Sequence, residues 1–180
     1  VNMILHINDN NSGGANKNFQ CILADYSEEK YVCFCDQDDI WNINKVSILM
    51  KKMIELENEK MQPYLVCHNC TVIDSKGQIL EHGKIANVSF QHMIFSPAIQ
   101  GCCMMLNRAA IKKMNIVNAT VSMHDWYASL VVASCGHIEV LDEELIQSTQ
   151  HEKNQVGYKK KSLYSSIRCA LNYRAKIKKY

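Results

Sequence analysis

Tyr31-Val32-Cys33-Phe34-Cys35-Asp36-Gln37-Asp38-Asp39-Ile40-Trp41 decides how the rest of the chain is read. It opens on an unbroken apolar run of the kind a buried parallel strand shows. The run stops abruptly in Asp36, Gln37, Asp38 and Asp39. At the carboxyl end of a parallel strand, carboxylates face the crevice where open α/β sheets bind ligands. Two carboxylates one residue apart can share a hard divalent cation, and that cation can bridge phosphate oxygens. An exposed acidic turn, or a cap for the helix that follows, would use the same residues.

Outward from this stretch, strands and helices alternate. Upstream, residues 3–7 read as a short strand and residues 9–14 as a polar loop. Residues 15–24 read as a helix with Phe19, Ile22 and Leu23 on one face. Downstream, Asn42 is placed to cap a long helix whose apolar stripe is Val46, Leu49, Met50, Met53, Ile54 and Leu56. Pro63 ends that region, residues 64–73 read as a strand, and Asp74-Ser75-Lys76-Gly77 reads as a turn. A strand over residues 102–106 leads to Asn107, a cap for a helix over 108–114. A further helix over 124–135 closes on Gly136, and residues 138–141 form a strand. The pattern predicts an α/β fold with a mostly parallel sheet flanked by helices.

Bulk properties narrow the class. The 180 residues suit one domain with a tail, 47% of them are apolar, and a net charge of +2 gives no reason to expect a nucleic-acid partner. Val1 opens without the basic and long apolar regions of a signal peptide, and no apolar run approaches a membrane span. A cytoplasmic setting is therefore expected, with the nine cysteines as free, mostly buried thiols. The Cys67/Cys70 and Cys33/Cys35 spacings also admit a zinc module, although both lie in strand-like segments. From residue 159 onward lysines and arginines interleave with apolar residues at helical spacing, and no acidic residue occurs. That is a basic amphipathic tail, suited either to peripheral contact with an anionic membrane face or to packing on the domain.

Residues 31–41 with Lys45 resemble the "YI-x-F-x-DQDDIW-x-x-x-K" segment of family 2 glycosyltransferases, nearest the rhamnosyltransferase-like enzymes of bacterial polysaccharide synthesis. Asn11-Ser12-Gly13-Gly14-Ala15 with Asn18-Phe19 is similar to an upstream segment of that family. Gly101-Cys102-Cys103-Met104-Met105-Leu106-Asn107-Arg108, His124-Asp125-Trp126, and Gln150-His151-Glu152-Lys153-Asn154 with Gly157 are similar to later ones, in family order. The resemblance implies a GT-A fold, a nucleotide-diphospho-sugar donor, a glycan or lipid-linked acceptor, Mg²⁺ or Mn²⁺, and inversion at the anomeric carbon. It implies a partial catalytic domain over residues 1–157, followed by the tail at 158–180. The family's first two strands do not occur in the chain, which is read as N-terminally truncated.

Residue by residue, the resemblance gives Asp38 to the cation and Asp36 to the donor ribose or the cation. Asp39 stands either at the donor or as a helix cap. His151 would reach the cation or the diphosphate, although Ser148-Thr149 stand where the family has Tyr-Arg. Asp125 matches the base that takes the acceptor proton; a helix-start carboxylate facing the dipole is the other reading. Gly101, His124 and Trp126 would line the substrate, with Trp126 either stacked on a sugar or packed in the core. A non-catalytic fragment serving as an interaction module is the competing functional class.

Overall fold

The computed structural model describes residues 14–25, 28–114 and 123–150. The expected strand at residues 3–7, His151 and the basic tail lie outside the described residues. The chain divides between Thr149 and Gln150, and the elements below belong to its first part, apart from Gln150 at the end of the last strand.

Helix α1 (Ala15–Asp25) precedes β1 (Tyr31–Cys33) and the two-residue β2 (Ile40–Trp41). Helix α2 (Lys45–Glu59), β3 (Tyr64–Asp74) and β4 (Ile79–Gly83) follow. A short α3 (Phe90–Met93) and a 3-10 turn at Gly101–Cys103 lead into β5 (Met104–Asn107). Helices α4 (Arg108–Met114) and α5 (His124–Cys135) and the long β6 (His137–Gln150) complete the order.

The sheet runs β1-β5-β3-β6-β2, with β4 paired to β3. It is mixed, which corrects the expectation of a mostly parallel sheet. Strands β1 and β5 are antiparallel, as are β3 and β5, β3 and β4, and β2 and β6. Between β3 and β6 the contacts advance together, from Cys67 with Glu139 to Asn69 with Asp142 and Thr71 with Glu144, so these two strands run the same way. The apolar runs misled because they report coverage of both faces, not strand direction. One face of the sheet carries Tyr64, Val66 and Met105 under Leu49 and Met53 of α2. The other carries Leu65, Cys67, Met104 and Leu106 under Ala110 and Ile111 of α4 and Ala128 and Val132 of α5.

Local signals explain most element ends. Asn107 Oδ1 accepts from the Ala110 amide at 3.0 Å and from the Tyr64 amide at 2.9 Å, so one cap joins α4 to the start of β3. Asp74 Oδ1 accepts from Lys76 and Gln78, and Gly77 takes φ 79°, closing the hairpin into β4. Helix α2 starts later than expected. Asn42 folds an Asx turn onto the Asn44 amide at 2.9 Å, and Asn44 occupies the N-cap position. The buried stripe of α2 is Lys45, Leu49 and Met53, while Val46 and Ile54 are exposed. A lysine therefore heads the apolar stripe.

Gly136 ends α5, but not through a left-handed backbone: its φ is −144°. A side chain there is excluded by a close approach, since a Cβ would sit 2.1 Å from the Pro63 carbonyl oxygen. Pro63 O also accepts from the His137 amide at 3.0 Å, which seats the end of α5 on the start of β3. Gly136→Ala should thus destabilise the fold by about 3 kcal/mol or more, because backbone must shift against backbone. Thermal denaturation checks this; a melting point within about 2 °C of wild type would show that the junction gives way freely.

Candidate functional site

The antiparallel pairing of β1 with β5 builds the crevice. Cys33 stands opposite Met105, so the chain leaving β1 passes beside the chain entering β5. The acidic segment after Cys33 therefore meets the Gly101–Cys103 turn. Its far end is fixed by β2, where Ile40 pairs with Gln147 and Trp41 with Ile146. Thr149 Oγ1 donates to the Asp38 carbonyl at 2.9 Å, and the Asn42 amide donates to the Leu145 carbonyl at 3.0 Å.

The start of α5 joins from the other side. Asp125 is buried, and its Oδ2 accepts from the Gly101 amide at 3.1 Å. Its Oδ1 accepts from the Trp126 amide at 2.7 Å. Gly101 lets His124 come close: a Cβ there would lie 2.8 Å from His124 Nε2 and 3.4 Å from the Asp125 Cβ, so the imidazole would have to shift. The His124 ring lies 4.3 Å from the Phe19 ring and 4.7 Å from the Phe34 ring, edge-on to the latter. Burial lowers the His124 pKa, and the nearby Asp125 and Asp36 carboxylates oppose that shift. Trp126 is half-buried with its indole N–H donated to the Met93 carbonyl at 2.5 Å, so its polar edge is committed to the protein.

Asp36, Asp39 and Cys102 form the one group of three potential metal-ligand side chains among the described residues, their donor atoms within 4.8 Å of one another. Asp39 Oδ2 is buried with no hydrogen-bond partner. Loss of solvent raises the pKa of both carboxyls. His124 pulls Asp36 down while Asp38 and Asp125 push it up; the Cys102 thiol pulls Asp39 down while Asp36 pushes it up. Crowded carboxylates with an orphaned oxygen fit a divalent cation, which would offset the repulsion. Asp38 lies outside this group of three, although the sequence reading placed the cation there.

Lys45, the first residue of α2, reaches the Gly101–Cys103 turn. It is fully buried, its Nζ donates to the Cys102 carbonyl at 2.5 Å, and it lies 3.5 Å from the centre of the Trp41 ring. Burial lowers its pKa, and the surrounding thiols of Cys33 and Cys102 oppose that shift. Sequence reasoning placed Lys45 in a motif without giving it a role, and took Cys102 for a core thiol. Their shared signal was spacing: each stands beside a motif residue that reaches the crevice. The cysteines are free thiols throughout the described residues, four of eight buried. The Cys67/Cys70 spacing forms no chelate, because Cys67 packs under α5 while Cys70 joins the cluster containing Trp41 and Cys102.

Near Lys45, His68 is fully buried on β3, with Nδ1 2.7 Å from the Asn69 carbonyl and Nε2 without a partner. Burial lowers its pKa from 6.5 to about 4. The unfolded chain takes up this proton as pH falls through 6.5, whereas the folded one resists until about 4. Folded stability attributable to His68 is thus complete above pH 6.5 and is lost as pH falls across that window, by on the order of 3 kcal/mol. Asp36 and Asp39, with raised pKa values, act in the opposite sense. The test is therefore the difference between wild type and His68→Gln in urea unfolding at the two ends of the window. Parallel pH dependences would show that His68 titrates normally in the fold.

No family model matches the chain. Among curated proteins it is similar to the dTDP-rhamnosyl transferase RfbG of Shigella flexneri, with 26% identity over 162 residues. The match covers 82% of this chain and 53% of that protein, so the chain spans about half the length of the curated relative. Among the described residues, no helix is long and apolar enough to cross a membrane. The chain is thus similar, over most of its length, to part of a protein named as a glycosyltransferase.

Proposed function

We propose that the chain is the greater part of a glycosyltransferase catalytic domain of family 2 type with a GT-A fold. It would move a sugar from a nucleotide-diphospho-sugar to a glycan or lipid-linked acceptor in bacterial surface polysaccharide synthesis. The observation that carries this reading is the convergence of Asp36, Asp39 and Asp125 on one crevice. Asp36 and Asp39 would hold Mg²⁺ or Mn²⁺, with Asp38 at the donor or the cation beside them. The cation, when bound, offsets charge on the departing diphosphate. Asp125 accepts two backbone amides, and each carboxylate oxygen retains a further lone pair for an acceptor hydroxyl. A carboxylate so held is oriented to take the acceptor proton. Half-buried His124, set against the rings of Phe19 and Phe34, keeps the Gly101 turn and the start of α5 in place.

The donor class follows from the relative's name, which makes dTDP-rhamnose the first donor to test. The protein is incubated with Mn²⁺ and separate dTDP-, UDP- and GDP-sugars, and nucleoside diphosphate release is followed with and without a bacterial lipid extract as acceptor. Release with one donor, stimulated by acceptor, is expected. Absence of release with every donor would overturn the reading and favour the non-catalytic module.

A further inference from the structure

We propose that Lys45 is a positioning residue: through the Cys102 carbonyl it holds the Gly101–Cys103 turn, and so sets Asp125 and Asp39 in a fixed relation to one another. This rests on the proposed function, which makes Asp125 the base and Asp39 a ligand of the cation. The three residues of the turn touch both carboxylates. The Gly101 amide donates to Asp125 Oδ2 at 3.1 Å, and the Cys102 thiol hydrogen-bonds the Asp39 carboxyl. The turn's own bonds run from the Cys103 amide to the Gln100 carbonyl at 2.9 Å and from the Met104 amide to the Gly101 carbonyl. The next carbonyl, that of Cys102, accepts from Lys45 Nζ at 2.5 Å.

The same ammonium lies 3.5 Å from the centre of the Trp41 ring. Trp41 ends the acidic segment and is paired with Ile146 of β6. Lys45 therefore joins the far end of that segment to the turn. Packing alone does not ask for a lysine here. Lys45 is fully buried at the head of a stripe that Leu49 and Met53 continue. Replacing a buried ion by an apolar residue of similar volume is often neutral or stabilising. Burial works against the ammonium, as the lowered Lys45 pKa records. What lysine supplies and an apolar side chain lacks is a directed N–H donor for one carbonyl. Catalytic groups need to be held to within about 0.5 Å. A misplacement of about 1 Å can cost about 10²-fold in rate.

Amide NMR of the nucleotide-free protein gives the first test. In Lys45→Met the Gly101 and Cys103 amides should shift, and their hydrogen exchange should quicken at least about tenfold, as loss of one hydrogen bond to a charged group implies. The Leu49, Met53 and Ala110 amides should keep their protection, which separates loosening of the turn from misfolding. Lys45→Arg keeps a cation for the Trp41 ring and N–H donors for the Cys102 carbonyl, so it should lie nearer wild type than methionine does. Sugar transfer per folded molecule gives the second test. In Lys45→Met kcat should fall by about 10–10²-fold, with donor KM held within about twofold. An unmoved Gly101 amide, an undiminished kcat, or arginine no better than methionine would overturn the proposal. So would failure of both variants to fold, because the fold and not the site would then require Lys45. Transfer by wild type with an unmoved Gly101 amide in Lys45→Met would leave the proposed function standing without this inference. A moved amide with no transfer by wild type would leave the contact standing without the proposed function.

Discussion

Asp125→Asn is expected to cut sugar transfer by about 10²–10⁴-fold, the range that a lost general base costs. The structure adds a second consequence. Each Asp125 oxygen accepts a backbone amide, from Gly101 at 3.1 Å and from Trp126 at 2.7 Å. Asparagine keeps one acceptor and turns an N–H pair toward the other amide. That leaves one backbone donor unsatisfied in a buried setting, at a cost of about 1–3 kcal/mol. Asparagine is therefore not a neutral replacement here, contrary to what its shape suggests. Two readouts separate the effects. A base role lowers kcat while donor KM is kept. A purely structural role lowers the melting point and leaves turnover per folded molecule within about threefold of wild type.

The competition between these roles shows what the sequence could and could not convey. Local signals were legible: Asn107 caps α4, Asp74 and Gly77 close the hairpin, and helix α5 runs from His124 to Cys135. Each depends on a few neighbouring residues and their hydrogen bonds. Strand direction was not legible, because the runs through β1, β3 and β5 record only that helices cover both faces. Strands β2 and β4 were missed for a related reason. The Ile40–Trp41 pair is too short for periodicity, and Ile79–Gly83 is exposed, so neither carries a burial pattern.

For the crevice, the same distinction holds at the level of single residues. Asp36 and Asp39 were visible because an apolar run ends abruptly on them, and Asp125 through the likeness of His124-Asp125-Trp126 to a family segment. Lys45 and Cys102 were not, because their importance is tertiary. Lys45 occupies a position in the α2 stripe that periodicity gives to an apolar residue, and only the Cys102 carbonyl and the Trp41 ring make its burial tolerable. Cys102 passes for a core thiol until β1 and β5 are seen to be antiparallel neighbours.

Removing the divalent cation should have an effect at least as large as losing the base. Several kcal/mol of charge stabilisation on the leaving diphosphate would vanish, which corresponds to about 10³-fold or more in turnover. Chelation followed by desalting should therefore stop transfer, and added Mn²⁺ should restore it. Asp39→Ala should raise the Mn²⁺ needed for half-maximal turnover at least about tenfold, because it deletes the orphaned, buried oxygen that is free to bind the ion. Asp36→Ala should do the same, since the Asp36 carboxylate completes the pair with Asp39. Asp38→Ala is expected to abolish transfer as well, given its motif position between the two. Its Mn²⁺ dependence carries the information: an unchanged half-saturation would assign Asp38 to the donor, and a raised one would add it to the cation's ligands. Full turnover in excess chelator would remove the cation from the mechanism and leave Asp36 and Asp39 as a repulsive pair needing another partner.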